Sequence, residues 1–166
     1  MTRVAIIDSS ALINLTHLEL ASKLSLYFTV IYVPRQVQAE VNKKSKFRHR
    51  LNKLYHAGLF KRCMCADSTR VRLLAVDLDA GEAEGLVQAQ EKGARFFIVD
   101  ERRAREIGYR QGLVLVGTVQ LLARLSLEGH AEDARALVGR LRKEKKFRVS
   151  EDVVEKAIKA AMVPIS

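Results

Sequence analysis

Acidic side chains are scarce in this chain, with nineteen Asp and Glu against twenty-nine Lys and Arg and a formal charge of +10. The deficit favours an anionic partner, either nucleic acid or a membrane surface, without naming a reaction. Long apolar runs are also missing. No stretch approaches the length needed to cross a bilayer, and Val4-Ala5-Ile6-Ile7 meets Asp8 too early to read as a signal peptide. Cysteine is nearly absent: Cys63 and Cys65 stand one residue apart, leave no long loop for a disulfide to close, and fit a reducing cytoplasm. Together with His49 and His56 they match no common zinc spacing, so they read as buried or half-buried strand residues. His17 and His130 are isolated from any plausible nucleophile, which removes support for Ser-His or Cys-His catalysis. There is no internal repeat and no low-complexity linker.

What is present suffices for one domain with a real core: 166 residues, 48% of them hydrophobic. Val4–Ile7 is continuously apolar and β-branched, as a buried parallel strand requires. Ser9 and Ser10 can cap a helix that follows through Leu15, with Leu18 and Leu20 extending its apolar face. Thr29–Val33 reads as a second strand, and Pro34 suits the first position of a helix carrying Val37, Glu40 and Val41. The run from Lys43 to Lys53 is strongly basic, with Phe47, Leu51 and Leu54 at helical intervals. Leu59–Cys65 is a short strand candidate, and Arg70–Val76 resists assignment. A clearer helix opens at Asp79-Ala80-Gly81-Glu82 and ends before Gly93. Arg95–Val99 is a third strand, followed by a helix from Arg102, a strand at Leu113–Val116 and a helix at Thr118–Leu127. This alternation predicts an α/β fold with a parallel sheet. From Glu132 to Ala161 the pattern is two helices, the second capped by Ser150, forming a C-terminal helical extension over about 132–166 of a single domain over 1–166.

The acids point to chemistry by position. Residues just past the carboxyl ends of parallel strands converge on one edge, where such sheets place their ligands. Asp8 and Asp100 both stand there, and if their strands are neighbours where strand order reverses, Glu40 and Glu82 reach the same crevice from adjoining helices. Carboxylates gathered in this way repel, raise one another's pKa and call for a cation. Oxygen ligands select hard Mg2+ or Mn2+, which supports phosphodiester hydrolysis. Each acid also has a structural reading: Asp8 as a helix cap, Asp79 with Glu82 as a capping box, Asp100 and Glu101 as first-turn acids, Glu40 as a solvated helix residue. Their coincidence at equivalent strand ends favours a site. The cluster Lys43, Lys44, Lys46, Arg48 and Arg50 is a candidate phosphate-binding surface or a solvated helix face. Arg102, Arg103 and Arg105 follow the acids and are placed to steady a scissile phosphate. A phosphotransferase with Asp8 as nucleophile would want a second Asp two residues on, where Ser10 stands.

Asp8-Ser9-Ser10-Ala11-Leu12-Ile13, Val33-Pro34 to Glu40-Val41, Leu78-Asp79-Ala80-Gly81-Glu82-Ala83-Glu84 and Ile98-Val99-Asp100-Glu101-Arg102-Arg103-Ala104-Arg105 resemble, in that order, the motifs of PIN-domain proteins. The resemblance is nearest to prokaryotic members predicted to bind nucleic acid, some of them VapC-like toxins. It implies a three-layer α/β/α sandwich, Mg2+- or Mn2+-dependent RNA cleavage, a homodimer in many members, and an antitoxin protein as partner for the toxins. Carried over by position, the resemblance makes Asp8 the first metal-binding acid, Glu40 the second, and Glu82 the third, where many members have Asp. Asp100 is the fourth, with Glu101 beside it as the alternative. Ser9 is implied as a holder of a metal-bound water, and Asp79 and Glu84 as supporting acids. An RNA-binding or assembly protein that has lost cleavage is the competing reading on the same scaffold.

Overall fold

The structure is a computed structural model that describes residues 1–165. Strands β1 (Val4–Ile7), β2 (Val30–Pro34), β3 (Phe60–Cys63), β4 (Phe96–Ile98) and β5 (Val114–Val116) form one sheet in the order β3-β2-β1-β4-β5. Every neighbouring pair is parallel. The connections carry α1 (Ser9–His17), a 3-10 helix (Ala21–Leu26), α2 (Arg35–Asn42), α3 (Ser45–His56), α4 (Ser68–Leu74), α5 (Ala80–Glu91) and α6 (Arg102–Arg110). After β5 come α7 (Thr118–Leu127), α8 (Ala134–Lys145) and α9 (Glu151–Ala161). The expected all-parallel sheet, flanked by helices in three α/β/α layers, is therefore present.

The continuous apolar strands follow from burial on both faces. Side chains alternate across a strand, so Ile6 and Phe97 face one layer, where Ala83, Leu86 and Ala89 of α5 and Ala104 of α6 join them in a shared core. Phe96 faces the other way and meets Phe28 edge-on, ring centroids 5.5 Å apart. Helix α5 is buried along nearly its whole length. It approaches the sheet closely because Gly85 lacks a side chain: a Cβ there would stand 2.9 Å from the Phe97 ring.

The chain forms two compact units, residues 1–116 and 117–166. The first holds the whole sheet, α1–α6 and every acid singled out above. In the second, Ala123, Ala134 and Ala161 pack together with Ile158 against them. Arg124 closes the end of α9 by donating from Nη1 to the carbonyls of Ala161 at 2.7 Å and Val163 at 3.0 Å. Ser150 caps α9 as expected, its Oγ accepting from the Val153 amide at 3.3 Å.

Three local expectations are corrected. Helix α1 starts at Ser9 with Asp8 as its N-cap residue, so neither serine precedes the helix as a cap. Pro34 ends β2 and is the N-cap residue of α2, not its first helical position. The unassigned Arg70–Val76 region is mostly α4, capped by Asp67 accepting from the Arg70 amide at 3.0 Å. Among the described residues no helix is long and apolar enough to cross a membrane.

Candidate active site

β1 and β4 are hydrogen-bonded neighbours, Ile7 opposite Ile98, and the Asp8 amide donates to the Ile98 carbonyl at 2.9 Å. With β2 and β3 on one side and β4 and β5 on the other, strand order reverses between β1 and β4. Asp8 and Asp100 therefore lie past the carboxyl ends of the two strands that flank the switch point, where doubly wound sheets open a crevice.

Asp8 is only 4% exposed. As N-cap residue its carboxylate makes no capping bond into α1, so the helix does not consume it. Burial pushes its carboxyl up to about 7; the Ser9 amide favours the charged form, while the charges of Glu82, Asp79 and Asp100 disfavour it further. Ser9 itself is buried at the first position of α1.

Glu82 is buried too, and both readings of it hold together. It completes a capping box, its Oε2 accepting from the Asp79 amide at 3.2 Å while Asp79 Oδ1 accepts from its own amide at 2.8 Å. Burial nonetheless lifts its carboxyl to about 7, with Asp79, Glu101 and Glu40 adding repulsion and the Asp79 amide opposing. Glu40 arrives from α2, half-buried. A methyl group on Gly81 would lie 3.4 Å from Asp79 Oδ1 and 3.7 Å from Glu40 Oε1, ordinary contact distances that place both acids beside the first turn of α5.

The two adjoining candidates both act on the site, Asp100 through its charge on Asp8 and Glu101 through its charge on Glu82. Glu101 is exposed and caps α6, accepting from the Ala104 amide at 2.8 Å, whereas the Asp100 charge acts on Asp8. Of the three arginines behind them, Arg102 pairs with Glu106 at 3.1 Å, and Arg103 with Asp77 and Glu106 at 3.5 Å each. Arg105 alone of the three turns to the strand end, donating from Nη1 to the Val99 carbonyl at 2.8 Å. Its burial weakens its hold on the proton, and the Asp100 charge restores part of it.

Sequence reasoning had placed Glu84 only as a supporting acid. Its Oε2 accepts from the Gln36 amide at 2.8 Å, at the second position of α2. Pro34 offers that helix end no side-chain acceptor, so α5 supplies the cap across the tertiary contact. Gln36 and Glu40 are one turn apart on α2, so the bond ties the helix that carries Glu40 to α5. The available signal was a Glu inside an otherwise apolar and small-residue helix face, three residues beyond Gly81. Glu84→Ala is expected to cost about 1–2 kcal/mol and to speed amide exchange at Gln36 above that of α5. Glu84→Gln, which keeps an acceptor oxygen, restores most of the protection; equal exchange in all three proteins would refute the capping role.

The other basic candidates, Lys43, Lys44, Lys46, Arg48 and Arg50, are all exposed on or just before α3. Arg50 pairs with Glu19 at 2.9 Å and donates to the Thr16 carbonyl, and Arg48 donates to the Asn42 carbonyl at 3.2 Å.

The donor set suits a hard divalent cation: oxygen only, two buried carboxylates with no lysine or arginine paired to them among the described residues, and mutual repulsion that a cation relieves. Among the described residues, no three or more Asp, Glu, His and Cys side chains are already drawn into a coordination cage. Cys63 and Cys65 stay free, with Cys63 donating to Gln88 Oε1 at 2.6 Å, and form no part of the acidic cluster.

A family model described as a PIN domain matches residues 4–162, nearly the full chain. No curated protein matches it.

Proposed function

We propose, on the premise that this chain belongs to the PIN-domain family, whose members are in general nucleases, that it is an endoribonuclease dependent on Mg2+ or Mn2+. The observation that carries the reading is Asp8: a buried carboxylate at the switch point, engaged with its helix only through the Ser9 amide and held near neutrality by burial and neighbouring acids. Structural acids are normally stabilised in their charged form, whereas this one is disfavoured, a pattern associated with functional sites.

Asp8 and Asp100 would hold the ion from the two strand ends, with Glu82 and Glu40 reaching it directly or through water. When bound, the ion supplies an activated water and offsets charge on the phosphoryl group in transfer. Ser9, buried beside Asp8, would help to hold that water. Arg105 holds the Val99–Asp100 strand end in place, and Glu101 keeps α6 capped beside it. The exposed bases of α3 attract the RNA backbone, with affinity that falls steeply as salt rises. Free thiols at Cys63 and Cys65 suit a reducing cytoplasm. A role as the toxin of a toxin–antitoxin pair, with a homodimer as working form and an antitoxin partner, rests on the family resemblance. A small neighbouring reading frame encoding a DNA-binding protein would support it.

The test is cleavage of a mixed panel of structured and unstructured RNAs with Mg2+, Mn2+ or EDTA. Cuts that appear with either metal and vanish in EDTA are expected. RNA bound but left whole under every metal condition would replace this reading with that of a non-catalytic RNA-binding protein.

A further inference from the structure

We propose that the acid-free stretch around α3 and β3 is an RNA-contact surface whose centre, Arg62 stacked on Tyr55, is a platform for an unpaired nucleobase. The proposal rests on the RNA reading above and narrows its substrate to single-stranded or looped RNA.

From Val41 to Ala66 the chain has no Asp or Glu and eight Lys and Arg. Helix α3 buries Phe47 and Leu51 and turns its basic residues outward. On edge strand β3, Lys61 and Arg62 are exposed between buried Phe60 and Cys63, and of the two Arg62 turns to the α3 side, since Lys61 shares the opposite face with Tyr32. Among the described residues, only Arg50 of these eight bases pairs with a carboxylate, Glu19. Charges on a surface meant only for solubility are usually interspersed with opposite ones; within this stretch the chain supplies positive charge alone, and Glu19 is the one acid paired with it among the described residues.

Arg62 differs from the flexible lysines around it. Its guanidinium carbon lies 3.8 Å from the centroid of the Tyr55 ring, and its Nη2 donates to Asn52 Oδ1 at 3.3 Å. Tyr55 and Asn52 are three apart on α3, so one helix face fixes both the plane and the rotation of the group. The residue remains exposed, and the contacts that fix the guanidinium, Tyr55 and Asn52, both come from α3. A flat cation already ordered on one side offers its other side at small entropic cost. Nucleobases stack on such guanidinium planes. In a duplex those base faces are covered, so the platform selects unpaired bases. A lipid surface fits less well, because Met64 is the single large exposed hydrophobic side chain between Val41 and Ala66 among the described residues, too little apolar area to enter a bilayer.

The test is fluorescence anisotropy in EDTA, where no cutting occurs, with a labelled single-stranded RNA and a duplex of equal length. Arg62→Lys keeps the charge and loses the plane. It is expected to weaken single-strand binding roughly tenfold and to leave duplex binding unchanged. Asn52→Ala, which frees the guanidinium without changing charge, shifts single-strand binding in the same direction by less. Lys53→Gln, at an exposed position of α3, weakens both RNAs alike and lowers the salt slope by about one. Melting temperatures equal to wild type show that the fold is kept. Arg62→Lys that binds single strands as wild type does, or that weakens both RNAs equally, overturns the platform while leaving the nuclease reading standing. Wild-type protein that neither binds nor cuts RNA overturns both.

Discussion

Asp8→Asn makes the metal-free protein more stable at pH 8 while lowering metal-dependent RNA cleavage at least a hundredfold. The stability gain follows from the cost of keeping this carboxylate charged. Its carboxyl titrates near 7 in the folded chain against an ordinary 3.8, and each tenfold change in proton affinity is worth about 1.4 kcal/mol. The full difference of about 4 kcal/mol is an upper limit, because Asn keeps its own burial cost and loses the charge-assisted bond from the Ser9 amide. A net gain of about 1–3 kcal/mol is expected, or several degrees in Tm for a chain of this size. At pH 4 the difference shrinks, since Asp8 is then protonated in the wild-type fold as well. The loss of cleavage follows from removing the buried acid that would hold the metal from the end of β1. Thermal melts at the two pH values and a cleavage assay check both halves. An Asn variant that melts below wild type at pH 8 would show that the fold stabilises the Asp8 charge, contrary to the burial argument.

Magnesium raises the melting temperature strongly at pH 8 and scarcely at pH 5. Asp8 and Glu82 both hold their protons to about 7 when folded, and release them near their ordinary values when unfolded. Between those limits the folded state binds more protons than the unfolded state, so stability without metal falls as pH rises from about 4 to about 7 and then levels off. A cation that binds the charged carboxylates reverses the loss, but must displace protons to do so below pH 7. If both carboxyls are protonated in the free state, affinity drops about a hundredfold for each step of one in pH over that range. Mn2+ titrations by calorimetry in buffers of different ionisation enthalpy read the released protons directly. An equal stabilisation at pH 5 and pH 8, or none at pH 8, would remove the acids of the switch point as the metal site. This measurement needs no RNA, so it stands apart from the question of substrate.

Much of the architecture was legible because it is written in short-range patterns. The apolar runs of β1, β2 and β4, the basic helix α3, the capping signal at Asp79 and the cap of α9 at Ser150 each depend on a handful of consecutive residues. Helix α4 escaped because its seven residues, STRVRLL, offer Val71 and Leu74 as its only apolar pair turned to the core. Pro34 misled because its preset φ suits a first helical position, whereas here it still pairs with Cys63 in the ladder with β3.

By itself the sequence determined that strands and helices alternate, that Asp8 and Asp100 follow strands directly, and that positive charge is concentrated on α3. All of these are consequences of chain order and side-chain period. Only the tertiary structure decided that β1 lies against β4, which turns two strand ends into one site. It also decided that α5 crosses close enough at Gly81 for Glu40 to approach Asp79, that Glu84 caps a helix it does not belong to, and that Glu101 caps α6 while the Asp100 charge acts on Asp8. The reason is distance along the chain: Asp8 and Asp100 are separated by most of the first unit, and Gln36 and Glu84 by 48 residues. No local pattern encodes which distant surfaces meet. The packing of apolar faces selects that, and the acids are carried to their places by it.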